Sequence, residues 1–409
     1  MRKYLNNTLR LILARSIMMT VVGLSVPFML DTALFRQEAY MLMAVISKGN
    51  TILSGYLYGF RPSGHWMHVQ SDSTGLYLYM LNIALLSVAG SLVYTIGLKK
   101  KELSARGIAL FTVFVRYLLA FKLLQYGLNK VFKYQFFQPE PNILYTPFGM
   151  LPKELLYWSV NGISYGFSLF TGALECLAGM LLLWRRTFVS GAIAAFVILV
   201  QVAAVNFCYD ISVKILSLYL LLLAGILLFP YLKSIIRFLA GAAVPPLPGI
   251  RNNAGSTRRY GILKYTVILL MLGCTLYPYV ISGNYNDDRT PRPPYHGAYS
   301  PERIIMNGDT FGKDELAWKR IFVHRKQYLI VQDDQDIMQD YPFSYGAGGG
   351  LYMEDPSGAR SELFFETKDS LRYTITGIWQ GDSLRMDVIR DGYKQLPALQ
   401  QGFHWRVDE

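Results

Sequence analysis

The sequence predicts a polytopic α-helical membrane bundle of about seven spans joined to a small antiparallel all-β extracytoplasmic domain. Three observations carry that prediction. Of 409 residues, 52% are hydrophobic and only 17% are charged, where a soluble chain carries about a quarter. Mean hydropathy is positive, at +0.25. The charge is also divided: residues 1–283 hold 25 Lys and Arg against 8 Asp and Glu, whereas residues 284–409 hold 15 against 20. A disordered chain and a wholly soluble enzyme are thereby excluded. The basic balance belongs to the apolar part, which fits a membrane bundle and not a nucleic-acid binder.

Crossing a bilayer in helical form takes about 20 apolar residues. Stretches near 11–31, 76–98, 107–132, 157–184, 188–209, 213–232 and 262–283 meet that need. The first carries Arg10 and Arg15 and lacks a small-residue cleavage site, so it reads as an anchor and not as a secretory signal. Four regions follow: a two-span region with an outer loop (1–106), a four-helix core (107–232), an inner linker with the seventh span (233–283) and a β-rich domain (284–409).

Orientation follows from the basic residues. With the N-terminus inside, 15 Lys and Arg fall in cytoplasmic segments and six on the other face. The positive-inside rule then predicts a cytoplasmic N-terminus, and seven crossings place the C-terminal domain in the periplasm of a bacterial inner-membrane protein. Residues 40–58, in the outer loop 32–75, are apolar enough to lie on the interface. The loop 134–156 is held non-helical by Pro139, Pro141, Pro147 and Pro152. Tyr145, Phe148, Tyr157 and Trp158 suit an aromatic belt.

Residues 284–300, with Pro291, Pro293 and Pro294, read as an extended tether. Beyond it, Lys319–His324, Gln327–Gln332, Ser361–Glu366, Leu371–Trp379 and Ser383–Arg390 are short runs of β-formers separated by turn residues. That spacing predicts an antiparallel meander closed as a small barrel or sandwich. Gly346–Gly350 reads as a mobile loop without the Lys or the strand–helix setting of a phosphate loop. Cys176, Cys208 and Cys274 all lie in or beside expected helices, with no Cys-x-x-Cys, so neither disulfides nor thiol redox chemistry is expected. No metal is expected either, since only His65 and His68 are near each other and two surface histidines are ordinarily solvated.

Ionisable groups in lipid cost about 2.5–3.5 kcal/mol each on insertion scales and demand partners or water. Counting ten residues from Arg106 and from Arg185 puts Arg116 and Glu175 at one depth, which predicts a structural ion pair between helices three and four. Ser168, Gly172, Glu175 and Gly179 share a helix face that permits close approach. Nearer the outer side, Lys122, Gln125, Asn129 and Lys133 form a stripe, with Lys130 off it. The alternative to a site is ordinary snorkelling of Lys130 and Lys133 toward the interface, for which Lys122 lies too deep. Asn206, Asp210 and Lys214 approach from helices five and six. These residues predict an outward-opening pocket for a ligand, with Lys122, Asn129, Lys130, Asn206, Asp210 and Lys214 as its contacts.

At those residues the chain resembles the DoxX-like family of four-helix membrane proteins, over about residues 107–230. The motifs are Arg116 with Tyr126-Gly127-x-x-Lys130, Gly172-x-x-Glu175, the run Gly179-Met-Leu-Leu-Leu-Trp-Arg-Arg-Thr187, and Asn206-Phe-Cys-Tyr-Asp210 with Lys214. The ending Gly402-Phe-His-Trp405 is similar to the tail of Bacteroidetes-type members that carry a β-rich domain. The resemblance implies the four-helix core. Some members are subunits of quinone-linked oxidoreductases, which makes a quinone the implied cofactor. The helix holding Arg116 and Lys130 is also distantly similar to the membrane domain of vitamin K-dependent carboxylases, whose catalytic lysine would fall on Lys130.

The leading expectation is a DoxX-like inner-membrane protein that binds a quinone or lipid headgroup at the outer end of the core, as part of a redox or envelope complex. The alternative is a non-enzymatic anchor that presents its β domain to envelope proteins. A quinol-dependent enzyme is the third reading. No nucleic acid is expected as a partner.

Overall fold

The computed structural model describes residues 2–30, 36–59, 71–98, 102–243, 258–312, 318–346, 348–354, 358–400, 402 and 406. His65, His68, the linker 244–257 and Phe403–Trp405 lie outside the described residues. The helices are α1 (Arg2–Leu30), α2 (Arg36–Tyr58), α3 (Thr74–Leu92, continued by a π-helical turn to Gly97), α4 (Ala105–Val131), α5 (Pro141–Leu144), α6 (Lys153–Ile163), α7 (Tyr165–Leu183), α8 (Phe188–Cys208), α9 (Lys214–Leu228), α10 (Leu232–Leu239) and α11 (Arg258–Ser282). Strands follow as β1 (Gly297–Met306), β2 (Asp309–Phe311), β3 (Trp318–His324), β4 (Tyr328–Asp333), β5 (Met338–Tyr345), β6 (Leu351–Glu354), β7 (Arg360–Thr367), β8 (Arg372–Trp379) and β9 (Asp382–Asp391). The chain forms two compact units, residues 1–135 with 169–285 and residues 136–168 with 286–409.

Among the described residues, seven helical stretches in the first unit and at its boundary are long and apolar enough to cross a membrane: 7–30, 74–97, 105–131, 165–183, 188–208, 214–239 and 261–289. The fourth departs from expectation. Residues 153–163 form the separate helix α6, and extended Ser164 (φ −104°, ψ 100°) breaks it from α7. The apolar segment of the outer loop is the helix α2, and it packs through a polar seam. Asn82 Nδ2 donates to Asn50 Oδ1 (2.8 Å) and Ser54 Oγ (2.9 Å), and Tyr58 donates to Asn82 Oδ1 (3.0 Å). Such pairs satisfy amide groups that would otherwise be buried unpaired.

The core of this unit is built on α4, whose Val115, Leu119, Ala120 and Leu123 are essentially fully buried among residues of α7, α8 and α9. Small residues set the α4–α7 separation. A Cβ at Gly172 would lie 2.6 Å from the Gly127 carbonyl oxygen, and one at Gly127 would lie 2.6 Å from Cys176 Sγ. Neither glycine can carry a side chain without moving a helix.

The second unit is a β-barrel. Antiparallel pairing runs β3-β4-β5-β6-β7-β8-β9, and β1 pairs with both β3 and β9 to close it. The three-residue β2 folds back on the far end of β1. Alternating residues fill the interior, among them Tyr299, Val323, Leu351, Leu363, Ile375 and Met386. The five strands expected from sequence are present. The extended tether is shorter than expected, because β1 begins at Gly297, with a bulge between Pro301 and Arg303 that accommodates the proline. Between β5 and β6, the Gly346 N–H donates to the Gly350 carbonyl at 2.9 Å.

The segment 136–168 belongs to this unit. Tyr145 packs on Phe322 of the barrel's outer face (ring centroids 6.1 Å apart), and the Arg320 guanidinium sits 4.4 Å from the Tyr145 ring. Tyr157 and Trp158 of α6 meet the Phe136 ring. Tyr145 thus serves the barrel and not an aromatic belt. Replacing Gly172 by Val should force α4 and α7 apart and destabilise the bundle by about 1–3 kcal/mol. Thermal unfolding of the detergent-solubilised chain, set beside Gly225→Val, where no atom lies within 4 Å, checks this.

Candidate functional site

The expected contacts separate into two groups. Lys122, Asn129 and Lys130 stand on α4. Lys122 is 1% exposed, and its ammonium donates to Gln125 Oε1 at 2.8 Å and faces the Phe121 and Tyr126 rings. Lys130 forms a buried ion pair with Glu175 of α7. Asn129 Oδ1 accepts from the Tyr279 hydroxyl of α11 at 2.6 Å. Lys133, expected to snorkel, is fully buried.

The Arg116–Glu175 pair is a correction. Glu175 is held by Lys130, while Arg116 lies over the rings of Tyr117 and Phe188, 5.1 Å and 6.0 Å away, with its Nε unsatisfied. The depth count failed because it treated Arg106 and Arg185 as level. The helices have 27 and 19 residues, and their contacts set Gly127 beside Gly172 and Arg116 beside Phe188, just past the end of α7. The first turns of α4 therefore overhang α7.

Asn206, Asp210 and Lys214 form a turn lock. The Asn206 amide reaches the Val213 carbonyl (3.4 Å), and Lys214 Nζ is 2.8 Å from the exposed Asp210 carboxylate. Asp72, which the sequence reading passed over, accepts from the N–H groups of Lys214 and Ile215 at 3.0 Å each and so caps α9. This cluster joins the α8–α9 turn to the segment before α3.

A different constellation lies within the barrel unit, and sequence reasoning missed it. Glu140, 5% exposed, sits just before α5 in the inserted segment. His296 Nε2–H donates to its Oε2 at 2.7 Å, Arg325 Nε–H donates to Oε1 at 3.0 Å, and His324 Nε2 lies 4.0 Å away. Arg325 also binds Asp287, and Asp287 faces Arg292 at 3.6 Å. Burial raises the Glu140 carboxyl, but the His296 hydrogen bond and the charges of Arg325, His296 and His324 together hold it below its ordinary value of 4.5. Burial pushes the His324 imidazole below its ordinary 6.5, against the pull of Glu140.

Above these groups opens a polar cleft of about 500 Å³. Glu140, His296 and Tyr393 line it, together with Arg289, Arg292, Arg390 and Lys394. Pro139, Pro141, Pro291 and Pro293 form parts of its wall, where their fixed φ holds the backbone rigid. Among the described residues, no group of three or more His, Cys, Asp or Glu is arranged to hold a metal. A sequence signal did exist: two proline-rich segments, each carrying charge where a plain tether needs none.

Over 114 residues, 28% of its length, the chain is 37% identical to a protein of Bacillus subtilis (strain 168) described only as the uncharacterized protein YwoB; the stretch covers 72% of that protein. No family model and no solved structure matches the chain.

The two titrations near Glu140 work in one direction. The depressed carboxyl stabilises the fold fully above about 4.5, its unfolded value, and loses that contribution as pH falls through the lower folded value. His324, held neutral by burial, costs stability once pH falls below about 6.5, where the unfolded chain takes up the proton first. Thermal melts of the full chain should therefore show the barrel transition falling steadily from pH 7 toward 4. At pH 7, Glu140→Gln should cost about 1–3 kcal/mol, because Arg325 keeps Asp287 but loses its second carboxylate and His296 loses a charged acceptor. A pH-independent wild-type melt would contradict both statements.

Proposed function

The chain belongs to the family of the uncharacterized Bacillus subtilis protein YwoB, and we propose that it is a multi-pass bacterial inner-membrane protein whose helices anchor a partner-binding β-barrel outside the cytoplasm. The observation that carries this reading is where polar groups are left available. In the bundle Lys130 is paired with Glu175 and Asn129 with Tyr279, and the unsatisfied Arg116 Nε is buried from solvent. In the barrel unit, cations line an open cleft. The anchor role rests on the seven long apolar helices. A cytoplasmic N-terminus and a periplasmic barrel rest on the excess of Lys and Arg in the segments assigned to the inside.

A second reading keeps the DoxX-like likeness and its lipophilic ligand. It is favoured by Lys122, a cation fully buried beside two aromatic rings on a helix carrying Tyr126-Gly127-x-x-Lys130. A quinone or lipid headgroup would then contact Lys122, and a quinol-dependent activity would require Lys130.

One set of variants separates these. Cysteine scanning with Cys176, Cys208 and Cys274 replaced by Ser should give labelling of Leu371→Cys, and not of Glu102→Cys, by an impermeant maleimide on intact cells. Labelling of Glu102→Cys alone would reverse the orientation. Lys122→Met should leave the cellular phenotype intact under the anchor reading, whereas removal of residues 286–409 should abolish it. The opposite pattern would favour the lipophilic ligand.

A further inference from the structure

We propose that the cleft in the barrel unit is a binding site for a phosphate group. This rests on the reading of the barrel as the binding part of the chain, and it specifies the chemistry of the ligand. Four cationic side chains line the cleft: Arg289, Arg292, Arg390 and Lys394. Arg292 shares Asp287 with Arg325, and Arg390 donates to the His296 carbonyl at 2.8 Å. Among the described residues, no carboxylate lies within ion-pair distance of Arg289, Arg390 or Lys394. Arg289 and Lys394 are exposed, with their charges available to a ligand.

The two acids that line the cleft are already engaged. Glu140 is paired with Arg325 and accepts a hydrogen bond from His296, and Asp288 accepts from the Gln138 N–H at 2.7 Å while keeping its charge. The cleft consequently carries an excess of positive charge on rigid proline-bounded walls, an arrangement that lowers the ordering cost of binding. A single carboxylate takes up one guanidinium fork. Arg289, Arg292, Arg325, Arg390 and Lys394 stand against Glu140, Asp287 and Asp288, and the resulting excess of about two positive charges suits a group bearing about two negative charges and three acceptor oxygens, which is a phosphate monoester. A phosphodiester offers fewer oxygens and one charge but meets the same forks.

The lining segments also bear on the source of the phosphate. Pro139 and Thr290 each lie within ten residues of the end of a long apolar helix, α4 and α11. A phospholipid headgroup and a soluble phosphate are thus both admissible, and the test distinguishes them.

The full chain in phosphatidylcholine nanodiscs should be titrated calorimetrically with inorganic phosphate, with sn-glycerol 3-phosphate and with short-chain phosphatidylglycerol, using succinate as the carboxylate control. At least one phosphate probe is expected to bind, with affinity at least tenfold above succinate and at least tenfold weaker in Arg289→Gln/Lys394→Gln. Binding of the soluble probes assigns a free phosphate, and binding of phosphatidylglycerol alone assigns a headgroup. The two exposed side chains are removable without disturbing Glu140, so folding is checked by an unchanged melt, and Arg292→Gln gives an independent second variant. No binding by any phosphate probe, equal binding of succinate, or unchanged binding in both variants overturns the phosphate site. Loss of phenotype on removing residues 286–409 would still leave the barrel as the functional part, so the two proposals fail separately.

Discussion

A carboxylate taken out of water costs several kcal/mol unless cations and hydrogen-bond donors surround it, and Glu140 obtains its partners from distant parts of the chain. It lies in the segment between α4 and α7, whereas His296 precedes β1 and both His324 and Arg325 lie at the β3–β4 turn. This one cluster explains why residues 136–168 belong with the barrel and not with the helices that flank them. Tyr145 on Phe322 and the Gln332 amide on the Tyr145 carbonyl (3.3 Å) extend the same docking surface. The cleft exists because the cluster holds two proline-rich segments side by side.

The bundle solves its own charge problem by another route. Gly127 and Gly172 bring α4 and α7 close enough for Lys130 to reach Glu175. Arg15, also buried, donates to Thr95 Oγ1 at 2.7 Å in the π-helical turn that ends α3 and to the Glu102 carbonyl at 2.6 Å ahead of α4. In both places a buried cation is met by polar groups from another part of the bundle, as expected where water is scarce. Tyr219 does the same with neutral groups, donating to the Val21 carbonyl at 2.9 Å and meeting Ser25 Oγ at 2.6 Å.

Much of this architecture was legible in the sequence, and the exceptions have physical causes. Long apolar runs and alternating β-formers report burial directly, so the seven helices and five of the strands were accessible. β1 was not, since Pro301, Glu302 and Arg303 break its pattern at a bulge that only the pairing with β9 explains. β5 contains Pro342 and shows no clean alternation of burial. The need of Glu175 for a cation was readable, but its identity was not: choosing Lys130 over Arg116 depends on the helix register set by Gly127 and Gly172. Asp72 was invisible as a cap because it serves a helix 142 residues further on. The cluster at Glu140 was hidden for the same reason, as its members are distant in sequence and no local motif joins them.

That separation has a consequence for synthesis. Glu140 and His296 are 156 residues apart, an interval the ribosome takes roughly 8–30 s to cover at 5–20 residues per second. Throughout that time the inserted segment exists without the barrel that neutralises its carboxylate and covers Tyr145. The helices between them must be placed first, so the last-made strand, β9, is what completes a structure whose first piece was laid down before α7.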